Sequence, residues 1–183
     1  SHVCWTNGGA EANEKAFYLA KAYGVAPYAG GKRVLAFEGA FHGRTLLSLY
    51  CTWNKSKRAP YQLEGHDAVF LKRPLPADPY ADPALPEGWY ASWRAPLDAS
   101  LSAEQVSEAR ASLKAYAEGA EQHEELMGGD LLAYEVECLT AVEQAIREGD
   151  VLSLIVEPYQ CEGGDVSPTR RFFHGLRALT RAY

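Results

Sequence analysis

The sequence predicts an α/β fold built on a mostly parallel sheet, and three observations carry that prediction. Short β-prone apolar runs alternate along the chain with longer segments whose apolar residues recur every three or four positions. The run "VLSLIVEP" at 151–158 is apolar at nearly every residue, as a strand covered on both faces requires. Glycine-bearing stretches follow three of the runs, where the loops of a βα series leave the carboxyl ends of strands.

Taken in order, "HVCWT" (2–6) is short, apolar and β-prone, and reads as a first strand. "AEANEKAFYLAKAYG" follows as a helix with Ala12, Ala16, Leu19, Ala20 and Tyr23 at helical spacing and Gly24 as its stop. "KRVLAFEGAFHG" supplies a second strand at Val34–Phe37, then a glycine-bounded loop and a short helix from Arg44. "HDAVFLKRP" gives a third strand at Ala68–Leu71. Residues 74–130 are first proline-punctuated and then a charged helix with a thin apolar stripe, so a surface insertion is expected there, docked by Trp89, Tyr90 and Trp93. A better amphipathic helix sets Leu132, Val136, Leu139, Val142 and Ile146 on one face and closes at Gly149. After the strand at 151–158, Ser167-Pro168 opens a last helix with Phe173, Leu176 and Leu179 inward and Arg170, Arg171 and Arg177 outward. No internal repeat is detectable.

Composition bounds the function. The 183 residues are 47% hydrophobic, enough for one real core. A formal net charge of -6 and a pI near 5.4 argue against a surface that gathers nucleic acid or anionic lipid, so any bound anion must meet a local site. Cys4, Cys51, Cys138 and Cys161 stand far apart without a CxxC pair or a histidine at ligand spacing. They read as reduced thiols in cytoplasm, with no disulfide framework and no metal site. No apolar run approaches the ~18 residues of a membrane span, and no basic stretch leads into an apolar one as an export signal would. A start almost inside a strand and a stop inside a helical pattern suggest part of a longer chain.

The three loops carry the chemistry. In "WTNGGAEANE" two bare glycines, Gly8 and Gly9, lead into a helix with no Ser or Thr cap. A helix start offers free N–H groups and partial positive charge, so an anion, typically phosphate, is a natural partner, and glycine lets backbone approach it. An ordinary tight turn capped by Asn7 is the alternative. "AFHGRT" places an aromatic ring, an imidazole and a guanidinium within four residues: Phe41 can lie against a heteroaromatic ring and Arg44 has the fork that grips a carboxylate. Taken singly, Phe41 reads as core and Arg44 as a solvated charge. The third loop presents Glu157 before Pro158, and Glu162 beside Gly163 and Gly164.

Together these segments resemble the class III, ω-amino-acid type of pyridoxal-phosphate aminotransferase. The family patterns "SG(T/A)EANE", "FHGRT" and "VEPxQxEGG" are met in order by "GGAEANE" (8–14), "FHGRT" (41–45) and "VEPYQCEGGD" (156–165). The likeness covers about two thirds of the chain and leaves out the proline-rich region. It implies that residues 1–183 are the N-terminal portion of the mostly parallel, three-layer large domain of fold-type I enzymes, with pyridoxal 5'-phosphate as cofactor. Gly9 and Ala10 would present N–H groups to its phosphate, Phe41 would stack on its ring with His42 alongside, and Glu157 would lie near the cofactor and the reacting amine. Arg44 would take a substrate carboxylate, and Glu162 matches a glutamate that pairs with a C-terminal arginine in relatives handling two substrates. The spelling "EGGD" before "FFxxLR" looks nearest to the 4-aminobutyrate and lysine ε-aminotransferase branch. Amino-acid and 2-oxo-acid substrates and a homodimer follow by the same analogy.

Two departures matter. Gly8 replaces the usual serine, which removes a hydroxyl and half of a capping box with Glu11. None of Lys15, Lys21, Lys32, Lys55, Lys57, Lys72 and Lys114 stands where the family's cofactor-binding lysine does, nor is the aspartate for the pyridine nitrogen present. The expectation is an aminotransferase represented by an inactive fragment, with a non-catalytic α/β module holding a phosphorylated ligand, or a structural fragment, as the competing readings.

Overall fold

The computed structural model describes residues 3–24, 31–61, 68–74, 131–165 and 167–183. The chain forms two compact units, residues 1–72 with 145–166, and residues 73–144 with 167–183. The region expected to be an insertion lies outside the described residues beyond Pro74.

The first unit holds helix α1 (Gly9–Tyr23), strand β1 (Arg33–Phe37), the short helices α2 (Leu46–Tyr50) and α3 (Lys55–Arg58), and strands β2 (Val69–Leu71) and β3 (Val151–Leu154). β1 is central and pairs in parallel with both neighbours, in the order β2-β1-β3. Against β2 it runs Leu35↔Val69 to Phe37↔Leu71. Against β3 the register jumps from Arg33↔Val151 to Val34↔Ser153, skipping Leu152. The bulge sits where Asp150 O accepts the N–H groups of both Lys32 and Arg33, at 2.9 and 2.8 Å. Gly31 lies so close to β3 that a Cβ would stand 2.6 Å from its backbone, which excludes any side chain there.

Leu35, Ala36 and Phe37 of β1 are fully buried. Phe17, Ala36 and Cys51 form a core cluster joined by Val34, Ala68, Phe70 and Ile155. Burial pushes the Cys51 thiol up to about 12, so it packs as a small hydrophobe. Because β1 and β3 are parallel, their carboxyl ends open on one edge, and the loops after Phe37 and Leu154 start side by side.

The second unit contains most of helix α4 (Leu131–Arg147) and helix α5 (Arg170–Ala182). Cys138, Leu139 and Val142 of α4 are buried, as are Phe172, Leu176, Ala178 and Leu179 of α5. Gly175 admits Leu139: a Cβ there would meet that side chain at 2.5 Å. Glu135 and Arg171 are buried at 1% and 5% exposure and paired, with the Thr169 hydroxyl donating to the same carboxylate. Burial raises Glu135 to about 7 and lowers Arg171 to about 10. Both shifts oppose the charged forms, and the Thr169 hydrogen bond and the contact between the two groups offset part of that cost.

Four expectations are corrected. Residues 3–6 form no strand and are exposed, Val3 at 75% and Trp5 at 90%, because β-prone side chains favour extended backbone without supplying a ladder partner. Of the stripe expected on α1 only Ala20 is sheltered; Ala12, Ala16, Leu19 and Tyr23 face out, and Ala10, Asn13 and Phe17 join Ala20 on the sheltered side. Strand β3 ends at Leu154 and is half-buried along its length, an edge strand among the described residues. On α5 the buried residues are Phe172, Leu176 and Leu179, with Phe173 half-buried, and Arg171 turns in because Glu135 waits for it. On α4, Leu139 and Val142 are buried as expected and Val136 and Ile146 are half-buried; the side chain of Leu132 lies outside what is described.

Candidate active site

Helix α1 begins without a side-chain cap. Gly8 is its extended N-cap, and Asn7 does not cap it. The Asn7 N–H instead donates to Glu11 Oε2 at 2.9 Å, so Glu11 still satisfies one backbone donor at the turn without a hydroxyl at position 8. A Cβ built on Gly8 or Gly9 would meet nothing within 4 Å. Nothing crowds the helix start at these two glycines, where the helix places partial positive charge.

The loop 41–45 is fastened to that helix from several directions. Asn13 Nδ2 donates to the His42 carbonyl at 2.7 Å. Gly43 has φ +127, and a Cβ on it would stand 2.6 Å from Ala10 Cβ, so both conformation and space demand glycine. Glu14 Oε1 accepts from the Thr45 hydroxyl at 2.7 Å, Leu47 N–H at 2.8 Å and Ser48 N–H at 3.0 Å. Thr45 occupies the N-cap position of α2 without capping it; the Glu14 carboxylate does so from another helix. Ser48 returns a hydrogen bond to Ala10 O at 3.0 Å. Fully buried Thr52 accepts the His42 N–H at 3.0 Å, with its hydroxyl 3.0 Å from Gly43 O.

The third loop closes on the second. Glu157 Oε2 accepts the Phe41 N–H at 2.9 Å. Gln160, buried, donates through Nε2 to Glu38 O at 3.3 Å, while its Oε1 has no partner. His42 is 6% exposed and its Nε2 is likewise without a partner. Burial lowers its pKa to about 4, so the ring is neutral near pH 7. Glu162 pairs with Lys57, whose Nζ stands 5.7 Å from the centroid of Phe41. A cavity of about 390 Å³ is lined by Arg44, Leu49, Ser56, Lys57, Pro60 and Tyr61.

The residues singled out in the sequence thus meet on one edge. Ala10, next to Gly9, packs against the 41–45 loop at Gly43, Phe41 and His42 sit on that loop, and Glu157 holds its start. Arg44 is exposed and turns to the cavity. Glu162 pairs with Lys57. The spacing analysis missed Asn13, Glu14, Thr52, Lys57 and Gln160. Asn13 and Glu14 end "EANE" and Gln160 stands inside "VEPYQCEGGD", so the letters were present. Thr52 and Lys57 had no signal, because only the fold brings them to the loop.

An aromatic ligand with one anionic end fits these residues. Open ground at Gly8 and Gly9 suits the anion, the half-buried Phe41 ring offers a face, and the unpartnered atoms of His42 and Gln160 are polar groups still to be satisfied. Among the described residues no three His, Cys, Asp or Glu side chains could hold a metal ion, and no helix is long and apolar enough to cross a membrane.

Residues 1–84 match the family model Aminotransferase class-III. Mitochondrial acetylornithine aminotransferase of Candida glabrata is 44% identical over 61 residues, 33% of this chain and 14% of that protein. A probable mitochondrial 4-aminobutyrate aminotransferase of Caenorhabditis elegans is 32% identical over 152 residues, 80% of this chain and 22% of that protein. The crystal structure of a mutant of Rv3290c from M. tuberculosis superposes with a TM-score of 0.58 at 25% identity, covering 97% of this chain and 32% of that one. The chain therefore spans 14% to 22% of the length of these curated relatives. Over residues 1–84 the chain is similar to the class-III aminotransferase family.

Proposed function

We propose that the full-length protein is a pyridoxal-phosphate-dependent aminotransferase that moves an amino group from an ω-amino acid, such as 4-aminobutyrate, lysine or an ornithine-like donor, to a 2-oxo acid such as 2-oxoglutarate. The observation that carries this reading is the meeting of three strand-end and helix-start segments at one edge, tied by the Asn13–His42 and Phe41–Glu157 hydrogen bonds. When bound, the cofactor supplies an electron sink for the carbon that loses its amino group. The chain's own residues bind and orient. Backbone N–H groups at Gly9 and Ala10 receive the phosphate, Phe41 lies on the ring, neutral His42 packs beside it and Glu157 fixes the loop carrying both. Arg44 takes a substrate carboxylate. The lysine that binds the cofactor aldehyde is not among residues 1–183, so this stretch alone seats the cofactor without turning over. A cytoplasmic homodimer belongs to the same proposal; exposed Trp5, Tyr18, Leu19 and Tyr23 supply apolar surface for a subunit contact.

The test uses the full-length protein. Bound pyridoxal phosphate is followed by its absorbance, and adding 4-aminobutyrate, lysine or ornithine converts that spectrum for the true donor. Phe41→Ala weakens cofactor retention by up to about ten-fold, the scale of one lost aromatic contact. Unchanged retention in Phe41→Ala, with no spectral response to any amine, favours a non-catalytic phosphate-binding module instead.

A further inference from the structure

Resting on that reading of the site, we propose that Thr52 is a positioning residue for substrate recognition: its buried hydroxyl sets the peptide from which Arg44 projects, and through that peptide the grip of Arg44 on a substrate carboxylate.

The need for such a residue starts at Gly43. Its φ of +127 and the nearness of Ala10 Cβ require glycine, yet glycine has no side chain with which to hold the peptide that follows, and that peptide leads into Arg44. Thr52 supplies the hold. Its Oγ1 accepts the His42 N–H at 3.0 Å and lies 3.0 Å from Gly43 O and 3.2 Å from Ser48 O. A hydroxyl has one proton to give. Ser48 O already receives the Cys51 N–H at 3.2 Å, and Gly43 O is the nearer acceptor, so the proton goes to Gly43. One oxygen thus fixes both the peptide before His42 and the peptide after Gly43.

Thr52 can act as a fixed point because it is itself held. It is fully buried, its N–H donates to Leu49 O at 3.0 Å, and the next N–H, of Trp53, donates to Ala40 O at 2.8 Å beside the start of the same loop. His42 and Gly43 are buried too, so removing the hydroxyl takes a partner from a buried N–H and a buried C=O at once. On the far side of Arg44, the Thr45 hydroxyl donates to Glu14 at 2.7 Å. The arginine backbone is therefore tethered before and after, while its side chain is exposed and lines the cavity. The tethers leave the side chain its rotamers and remove freedom at its root. An error at the root is carried to the guanidinium, and a two-bond contact with a carboxylate tolerates little of it.

The test titrates the cofactor spectrum of the full-length protein with 4-aminobutyrate and with butylamine, with no 2-oxo acid present, so that the spectrum and not turnover is read. The two amines share a chain and differ at the end that Arg44 receives. Wild type half-saturates at a lower concentration of 4-aminobutyrate than of butylamine, and Arg44→Met abolishes that preference. Thr52→Val keeps the shape, removes the hydroxyl and lowers the preference by about ten-fold, and Thr52→Ser restores it. A purely structural role weakens both amines together and leaves their ratio in place. An unchanged ratio in Thr52→Val, with Arg44→Met still collapsing it, therefore overturns the Thr52 assignment and leaves the functional reading standing; if Thr52→Val does not fold, an unchanged ratio in Thr52→Ala does the same. A loss that Thr52→Ser fails to restore assigns the effect to the methyl group and also overturns the proposal. A wild type without the preference, or one that keeps it in Arg44→Met, takes down the Arg44 reading and this proposal together.

Discussion

His42 in the first unit is 6% exposed and Glu135 in the second is 1% exposed, yet their surroundings could hardly differ more. Glu135 is closed on both oxygens, by the Thr169 hydroxyl and the Arg171 guanidinium. His42 has its backbone N–H and C=O engaged by Thr52 and Asn13, while its ring Nε2 meets nothing. Gln160, on the neighbouring loop, shows the same asymmetry, with one amide atom bonded and the other bare. A buried polar atom without a partner costs about 1–3 kcal/mol, and folded chains rarely leave one. The helix pair α4/α5 satisfies its buried polarity and gains a fixed packing; the candidate site holds its backbone firmly and leaves side-chain polarity open to a ligand.

The largest effect comes from breaking the closed side. Arg171→Met strands the Glu135 carboxylate and destabilises the protein by about 3–5 kcal/mol, measured by urea unfolding at pH 7. Burial lifts Glu135 to about 7 with Arg171 in place, and loss of that guanidinium raises it further, so the variant takes up a proton on folding and its stability falls as pH rises above 4.5. A double change, Glu135→Gln with Arg171→Met, removes that slope. If Arg171→Met unfolds like wild type, the pair is not what closes the two helices.

Much of this was legible in the sequence and some was not, for physical reasons. The alternation of later elements and the extents of β1 and β2 to within a residue follow from periodicity, and the neighbouring starts of "FHGRT" and "VEPYQCEGGD" from loops at the ends of parallel strands; "GGAEANE" reaches them from a helix start with no strand before it. The inward side of α1 was not legible, because Asn13 and Glu14 turn in to hold a loop more than twenty-five residues away, and a hydrophobic-spacing argument assigns the interior to Ala12, Leu19 and Tyr23 instead. Arg171 was read as outward for the same reason: charge alone says solvent, and only Glu135, 36 residues earlier, reverses it. Lys57 looked like one more surface lysine until the fold set it against Glu162 and Phe41. Long-range polar pairs leave no period in a sequence.

The open side gives the next effect. Between pH 6.5 and about 4 the unfolded chain binds a proton on His42 that the folded chain refuses, so His42 makes stability fall as pH drops through that window, by about 3 kcal/mol, and level off below it. The slope has the opposite sign to that of Glu135 in Arg171→Met. His42→Leu abolishes it in the difference between variant and wild-type unfolding curves, and holds or raises stability at pH 7 because the orphaned nitrogen is gone. In the full-length protein the same change lowers pyridoxal phosphate retention if the open nitrogen serves the ligand. A variant both more stable and equally retentive would show the unpartnered atom to be idle.

Glu14 tests whether the two halves of the comparison are independent. Its carboxylate binds Thr45, Leu47 and Ser48 at the start of α2, a backbone-directed version of what Arg171 does for Glu135, but at a partly exposed position. Charge-assisted capping of this kind contributes about 1 kcal/mol. Glu14→Gln keeps an acceptor and should lose less than that in urea unfolding, whereas Glu14→Ala should lose all of it. Neither touches the ring of His42, so the pH 4 to 6.5 slope should be intact in both. What changes is the fastening of the 41–45 loop to α1: with Asn13 and Gly43 still in place, the loop stays near the helix but loses its grip at Thr45, and Phe41→Ala should then weaken cofactor retention less in a Glu14→Ala background than alone. Equal losses in both backgrounds would mean that Glu14 stabilises α2 without positioning Phe41.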